Sequence, residues 1–157
     1  MEKQIAFNFT LPDQTGRVRR LSDYAGRWVL LYFYPKDMTP GCTTEAECFR
    51  DQMNYFTALD VQVLGVSMDT IKSHKKFTEK HQLNFPLLSD VSKKVAQKYG
   101  VLIEKQRFGK RYQGIQRDSF LINPEGHIVK HYSKVDPKTH SAEVLKDLES
   151  LKRRGNK

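Results

Sequence analysis

The apolar residues of the chain fall into short continuous runs and into longer segments with helical spacing. The run from Trp28 to Tyr34 stops at Pro35 and is typical of a buried central strand, predicted over residues 27–34. Residues 61–68 have the same character and predict a second strand. Two further pairs of short runs flank turn sequences and predict antiparallel hairpins, 8–11 with 18–21 and 119–122 with 127–132. Segments with helical spacing cover residues 42–59, 71–81, 91–99 and 138–152.

This order of elements predicts an α/β protein with a thioredoxin-like fold. Strand–helix–strand units give parallel neighbours, and the late hairpin adds antiparallel strands to the same sheet. We therefore expect a central mixed sheet flanked by helices, with an N-terminal β-hairpin extension. Residues 1–152 are predicted to form one domain, followed by a basic tail at 153–157. Ser92 is expected to start the third helix as its cap, and Gly100 to end it.

Length and composition exclude several classes of protein. The 157 residues match one domain of roughly 100–200 residues, and 38% apolar content is enough for a core. The longest apolar run has seven residues, whereas a membrane-spanning helix needs about 20, so no such helix is predicted. The N-terminus carries an early acid and no apolar stretch, which argues against a signal peptide and predicts a cytoplasmic protein. Two cysteines are too few for a disulfide scaffold.

The charge is strongly positive, with 27 basic and 18 acidic residues and a formal net charge of +9. Residues 93–117 alone hold eight basic residues against one acid, Glu104. One interpretation is a nucleic-acid-associated binding protein whose cysteines are incidental. The other is a solvated basic face that aids solubility or attracts anionic partners. No zinc-finger spacing, helix-turn-helix pattern or RNA-binding aromatic signature accompanies the charge, which favours the second interpretation.

The segment with the most chemistry joins the first central strand to the first helix. Cys42 stands near the start of that helix, beyond the carboxyl end of a strand, where α/β proteins bind ligands. Unpaired N–H groups and the helix dipole stabilise a thiolate there. The alternative is a small buried hydrophobic side chain. Position 45 is Glu45 rather than a second cysteine, so the segment lacks the Cys-x-x-Cys motif and suits attack on a small electrophile.

These residues resemble the peroxiredoxins. Pro35-x-x-x-Thr39-x-x-Cys42 is similar to the peroxidatic-cysteine motif of that family. The extension Gly41-Cys42-Thr43-Thr44-Glu45-Ala46 is similar to the bacterioferritin comigratory protein, or Q-type, subgroup. The resemblance covers nearly the whole chain, through further motifs at 9–13, 32–36, 66–69, 85–90 and 117–126.

The resemblance implies a thiol peroxidase that reduces hydrogen peroxide and organic hydroperoxides without a metal or organic cofactor. Cys42 is the expected nucleophile, and Arg117 is expected to stabilise its thiolate and polarise the peroxide. The Thr39 hydroxyl and the backbone N–H groups of Gly41 and Cys42 are expected to orient the peroxide. Pro35 is expected to shield the pocket from water. Thioredoxin, glutaredoxin or a low-molecular-weight thiol would regenerate the enzyme, which is expected to be a monomer that binds neither membrane nor nucleic acid.

The second cysteine leaves two alternatives open. Relatives with a nearby resolving cysteine carry it five residues after the first, where this chain has Glu47, and Cys48 follows one residue later. Residues six apart on an ideal helix are separated by about 9 Å of rise, so the two sulfurs cannot meet while the helix is intact. Either Cys48 resolves the oxidised Cys42 after local unwinding, or Cys48 only fills a helix flank and the enzyme uses one cysteine.

The histidines do not predict a metal site. His127 and His131 would share a strand face about 13 Å apart at 3.3 Å per residue, too far for one ion. His74 and His81 are seven residues apart on a helix, about 10 Å by rise alone. Packing or surface roles are therefore expected for these four residues.

Overall fold

The computed structural model describes residues 4–155 of the chain, which contain ten strands and five α-helices. A single turn of 3-10 helix at Leu21–Tyr24 joins the third strand to the fourth. In chain order the elements are β1 Gln4–Ile5, β2 Thr10–Pro12, β3 Val18–Arg20, β4 Trp28–Phe33, α1 Pro40–Asp51, α2 Met53–Ala58, β5 Val61–Ser67, α3 Ile71–His81, β6 Leu87–Ser89, α4 Lys94–Lys98, β7 Leu102–Arg107, β8 Lys110–Ile115, β9 Ser119–Ile122, β10 His127–Tyr132 and α5 His140–Gly155.

A six-stranded mixed sheet forms the centre, in the order β1-β10-β9-β4-β5-β6. Strands β4, β5 and β6 are parallel, whereas β9 is antiparallel to β4, β10 to β9 and β1 to β10. The predicted central mixed sheet is therefore confirmed. The predicted N-terminal hairpin is confirmed as well, because β2 and β3 pair antiparallel in a separate two-stranded sheet.

Successive residues of β4 point to opposite faces of the sheet, as the pleat requires. Val29, Leu31 and Phe33 belong to one buried cluster, with side chains from α4 and the N-terminal segment. Leu30 and Tyr32 belong to the other, with side chains from α1, α2, α3 and α5. Because β4 is buried on both faces, its residues form an unbroken apolar run. The same packing fixes the position of the carboxyl end of β4.

The first predicted helix, over 42–59, is wrong in two respects. The helix begins earlier, at Pro40, and it is interrupted at Gln52. Gln52 lies outside helical geometry, with φ −102° and ψ 9°, and separates α1 from α2. Its side-chain oxygen accepts a hydrogen bond from the Ser141 hydroxyl of α5. The side chain is therefore held by α5 at the point where the helix breaks.

The predicted cap Ser92 is also wrong. Lys93 occupies the cap position of α4 with φ 68°, and the Asp90 carboxylate accepts hydrogen bonds from the amides of Val95 and Ala96. Gly100, with φ 72°, follows the end of the helix as predicted.

Helix α5 continues to Gly155, so residues 153–155 of the predicted tail are helical. Asn156 and Lys157, the rest of that tail, lie outside the described residues. Strands β1 and β6 and the β7–β8 hairpin were absent from the predicted elements. Between residues 4 and 155, no helix is both long enough and apolar enough to cross a membrane.

Candidate active site

Cys42 lies in the first turn of α1, just beyond the loop of residues 34–39 that follows β4. The sequence begins a helix here because Pro40 has a fixed φ suited to the first helical position and no N–H that needs an acceptor. Thr39 precedes it as the cap residue, and its carbonyl accepts the Thr43 N–H at 2.9 Å. The Cys42 side chain is buried, with 2% of the residue exposed.

The start of α1 leaves two backbone donors beside the sulfur. In the described part of the chain, no side chain caps these donors, since the Thr39 hydroxyl makes no hydrogen bond to the helix. The amides of Gly41 and Cys42 precede the first intrahelical bond and therefore have no acceptor within α1. Together with the positive end of the helix dipole, they provide a site for the oxygen atoms of a small ligand.

Arg117 brings a full positive charge to Cys42 from the segment between β8 and β9. Its Nη2 donates to the Cys42 Sγ at 3.3 Å, and its Nη1 donates to Glu45 Oε1 at 2.9 Å. Burial lowers the pKa of Arg117, but the charges of Glu45 and Cys42 more than offset this, so the pKa lies above its usual value. The guanidinium is therefore a permanent cation against the sulfur.

Gly41 provides the space for this contact. A Cβ added at Gly41 would lie 3.1 Å from Arg117 Nη2 and 3.7 Å from Pro137 Cγ. The same nitrogen donates to the sulfur, so a side chain at position 41 would push directly on the contact between Arg117 and Cys42. Glycine is needed here for close approach rather than for an unusual φ.

Glu45 is the carboxylate that holds Arg117, and its side chain is 1% exposed. Among the described residues its Oε2 has no hydrogen-bond partner. Burial raises the pKa of Glu45 to about 7, against the opposing effect of Arg117. The Tyr32 hydroxyl is likewise buried without a partner in this part of the molecule, and burial, Glu45 and Cys42 raise the pKa of Tyr32. Two buried polar atoms close to Cys42, the Tyr32 hydroxyl oxygen and Glu45 Oε2, thus have no partner among the described residues.

Thr39 and Pro35 lie at the two ends of the loop that precedes α1. The Thr39 hydroxyl donates to the Lys36 carbonyl at 2.7 Å, which leaves its lone pairs as acceptors. This bond fixes the hydroxyl within the loop, and the hydroxyl offers an acceptor rather than a free donor to a ligand. Pro35 is half-buried at the end of the central strand.

Cys48 lies on the same helix as Cys42, and both are free thiols. The Cys48 Sγ points instead toward the segment before α5, where it lies 3.8 Å from the Lys138 carbonyl oxygen. Burial, Asp51 and Glu47 raise the pKa of the Cys48 thiol. An intact α1 therefore separates the two sulfurs, as the sequence predicts.

The four histidines considered above do not come together. His131 Nε2 lies 2.8 Å from Asp118 Oδ2 and its ring stacks on Phe120, while His81 lies beside Glu47. Within residues 4–155, one group of three side chains has metal-ligand geometry: Asp37, Asp69 and His74, with ligand atoms within 4.8 Å of one another. The ligand oxygens Asp37 Oδ2 and Asp69 Oδ2 already accept hydrogen bonds, from the hydroxyls of Ser73 and Ser67 respectively.

A family model for the AhpC/TSA family matches residues 3–131, most of the chain. The chain belongs to the AhpC/TSA family. The predicted thioredoxin-like fold and thiol peroxidase function are confirmed by this match and by the relatives of the chain, which are peroxiredoxins. The nucleic-acid alternative has no support among them.

The relatives belong to the predicted subgroup. The chain is 48% identical over 148 residues to peroxiredoxin Bcp of Bacillus subtilis, covering 94% of each chain. It is 45% identical over 141 residues to peroxiredoxin Bcp of Escherichia coli K12, covering 90% of each. The structure of the Xanthomonas campestris bacterioferritin comigratory protein superposes with a TM-score of 0.87 at 38% identity, covering 91% of each chain.

Sequence reasoning missed several polar residues around this AhpC/TSA-family site. Glu45 was noted only because it is not a cysteine, although it binds Arg117 from 72 positions away. Its position three residues after Cys42, on the same side of a helix that packs on the sheet, was the available signal. Asp37 and His74 were not connected either, because nothing local in the sequence relates a loop to a helix 37 positions later.

Proposed function

We propose that Cys42 is the peroxidatic cysteine of this thiol peroxidase. The observation that carries the proposal is the convergence on one buried sulfur of the Arg117 guanidinium at 3.3 Å and the free amides at the start of α1. A cation and free amides beside a sulfur are groups that bind the oxygens of a peroxide, and the thiolate is the form of a cysteine that attacks them.

In the proposed reaction, the Cys42 thiolate attacks the terminal oxygen of hydrogen peroxide or an organic hydroperoxide. A sulfur–oxygen bond forms and the oxygen–oxygen bond breaks. The leaving oxygen takes a proton and departs as water or an alcohol, while Cys42 becomes a sulfenic acid. Arg117 and the amides of Gly41 and Cys42 bind the oxygens as negative charge moves onto the leaving oxygen. The Thr39 hydroxyl oxygen accepts a hydrogen bond from the peroxide O–H, and Pro35 limits access of water.

We propose that Cys48 then resolves the sulfenic acid. The Cys48 sulfur attacks the Cys42 sulfur, a disulfide forms, and water is released. This step requires the first turns of α1 to unwind, because both sulfurs lie on one intact helix. Thioredoxin or glutaredoxin, or two molecules of a low-molecular-weight thiol, reduce the disulfide to two thiols, are themselves oxidised to a disulfide, and complete the cycle. If Cys48 is only a packing residue, an external thiol reduces the sulfenic acid directly.

The setting of this cycle is also a proposal. We infer a monomeric enzyme working in the cytoplasm, where thiol reductants are abundant. The related Xanthomonas campestris protein is described for its alkyl peroxide reduction activity, which supports organic hydroperoxides as a substrate class for this chain. Light scattering at micromolar concentration tests the monomer, and a dimer would refute it.

Peroxide consumption with dithiothreitol or thioredoxin tests the role of Cys42. We expect Cys42→Ser to lose activity to background and Cys48→Ser to keep the first oxidation step, since only Cys42 contacts Arg117. Near-background activity in both variants with dithiothreitol, or substantial activity in Cys42→Ser, would refute the assignment.

Intact mass after one equivalent of peroxide tests the role of Cys48. A loss of two hydrogens in the wild type indicates a disulfide between the two cysteines. A gain of one oxygen, trapped by dimedone in the wild type as readily as in Cys48→Ser, would refute the resolving role and leave a one-cysteine enzyme.

A further inference from the structure

A half-buried lysine, Lys105, crosses one face of the β7–β8 hairpin. Glu104 and Gln106, on either side of it in β7, point to the opposite face and are exposed. The hairpin pairs Lys105 with Tyr112, so Gly114, two residues further along β8, is its diagonal neighbour on the same face. The reaction described above does not use this lysine.

Gly114 leaves the space that the Lys105 side chain fills. A Cβ added at Gly114 would lie 2.8 Å from Lys105 Cδ, 3.1 Å from Cε and 3.4 Å from Nζ. The lysine stem therefore runs directly over the glycine, in the place that a side chain at position 114 would take. A residue with a Cβ at this position would displace the ammonium group.

The ammonium group of Lys105 is bound where β8 ends. Ile115 is the last residue of β8 and is fully buried, so its carbonyl oxygen needs a partner within the protein. Lys105 Nζ donates to this oxygen at 3.0 Å. A charged donor makes a stronger hydrogen bond than a neutral one. This bond therefore fixes the backbone two residues before Arg117, where the chain leaves the hairpin.

Backbone hydrogen bonds hold the residues that follow. The Gln116 amide donates to the Val101 carbonyl at 2.9 Å, and the Arg117 carbonyl accepts the Val135 amide at 2.9 Å. Lys105 adds a side-chain contact at the entry to this segment from β8. The guanidinium stands at the end of a long side chain, so a shift of this backbone moves it relative to the sulfur.

The charge of Lys105 also acts within the active site. Burial and the charge of Arg117 lower the pKa of Lys105, whereas the charge of Cys42 raises it. The ammonium group is thus within electrostatic range of both, and the two cations repel each other. Each cation is held against this repulsion by its own acceptor, the Ile115 carbonyl for Lys105 and the Glu45 carboxylate for Arg117.

We propose that Lys105 is a positioning residue for Arg117, seated over Gly114 and acting through the Ile115 carbonyl. It influences the reaction through the place of the Arg117 guanidinium rather than by binding the peroxide. The proposal rests on the proposed function for its effect on peroxide, whereas its effect on the Arg117 side chain is independent of any activity.

The first experiment follows the Arg117 Nε–H signal in ¹H–¹⁵N NMR spectra without peroxide. The signal is assigned as the one that disappears in Arg117→Met. We expect it to shift or broaden in Lys105→Met, which removes the donor, and in Gly114→Ala, which keeps the charge but displaces the ammonium group. Lys110→Met, an exposed position of the same hairpin, is the matched control and should leave the signal unchanged. An unchanged signal in Lys105→Met and Gly114→Ala would overturn the positioning role.

The second experiment is a double-mutant cycle on the second-order rate constant with peroxide. With Arg117 present, Lys105→Met should lower this constant about tenfold, because a group displaced by about 1 Å loses much of its effect. In the Arg117→Met background the same substitution should change it less than about twofold, since Lys105 acts through the group already removed. Gly114→Ala should behave as Lys105→Met does, and Lys110→Met as the wild type does.

Equal losses from Lys105→Met in both backgrounds, or a wild-type rate constant in that variant, would overturn the proposal. An equal loss in Lys110→Met would assign the effect to net charge and overturn it as well. If Lys105→Met does not fold, Gly114→Ala gives the same two measurements with the lysine still present. A wild-type protein without peroxidase activity would refute the proposed function, and the Arg117 signal then decides the positioning role by itself.

Discussion

Replacing Glu45 by glutamine should remove a pH dependence that we expect in the stability of the wild type. Glu45 is buried against Arg117, and one of its oxygens has no partner among the described residues. Glutamine has nearly the same shape and still offers an oxygen to Arg117, but it carries no charge at any pH. The substitution therefore tests the ionisation of one carboxyl group with little change in packing.

The size of the effect follows from the shift in the pKa of Glu45 from the usual 4.5 to about 7. Between these values the native protein holds a proton that the unfolded chain has released. Stability is therefore highest below pH 4.5, falls as the pH rises through this window, and levels off above 7. A shift of this size corresponds to about 3 kcal/mol, since each pKa unit is worth about 1.4 kcal/mol.

Urea denaturation of the wild type and Glu45→Gln at pH 5, 6, 7 and 8 measures this effect. We expect the variant to gain roughly 2 to 3 kcal/mol relative to the wild type over that range, a shift of about 1 to 2 M in the midpoint. Glu47→Gln, on the more exposed side of the same helix, is the matched control. A difference between Glu45→Gln and the wild type that stays constant from pH 5 to 8 would refute the reasoning.

Three further substitutions test the groups around the sulfur. Arg117→Met should lower the second-order rate constant with peroxide about a hundredfold in stopped-flow assays, because the cation at 3.3 Å from the sulfur is lost. An unchanged rate constant would exclude Arg117 from the reaction. Gly41→Ala should slow peroxide reduction roughly threefold to tenfold in stopped-flow assays with the fold intact, because Arg117 must move; a wild-type rate would contradict the close contact. Thr39→Val should lower the rate constant with peroxide about tenfold, because it removes an acceptor for peroxide and the hydrogen bond to the Lys36 carbonyl. An unaltered rate constant would exclude the hydroxyl from the site.

The parts of the fold that local patterns determine were predictable from the sequence. Strand β4 is buried on both faces, so its residues form an unbroken apolar run. The β7–β8 hairpin was missed for the opposite reason. Its strands are mostly exposed, so they carry no apolar period, and the Phe108-Gly109 tip was hidden within a basic segment. Most basic residues of that segment are exposed, as expected for a solvated basic face, namely Lys94, Lys98, Arg107, Lys110 and Arg111.

The residues of the active site also fall into those that a local sequence pattern predicts and those that it does not. Cys42 and Thr39 could be placed because a strand end, a proline and a helix start are adjacent in the sequence. The sequence alone cannot show that the Glu45 carboxylate holds Arg117, because the two residues meet only when α1 packs against the segment before β9. The helix break at Gln52 could not be predicted for a similar reason, because the Gln52 side chain contacts Ser141 of α5, which is distant in the sequence.

The location of both cysteines on α1 ties the electrochemistry of this enzyme to the stability of one helix. In the proposed cycle the disulfide exists only when the first turns of α1 are open, so the free energy of those turns enters the reduction potential. Each 1.4 kcal/mol that stabilises the closed helix raises that potential by about 30 mV and makes the disulfide easier to reduce. Surface substitutions on α1, far from any sulfur, would therefore tune which cellular thiols are able to drive the enzyme.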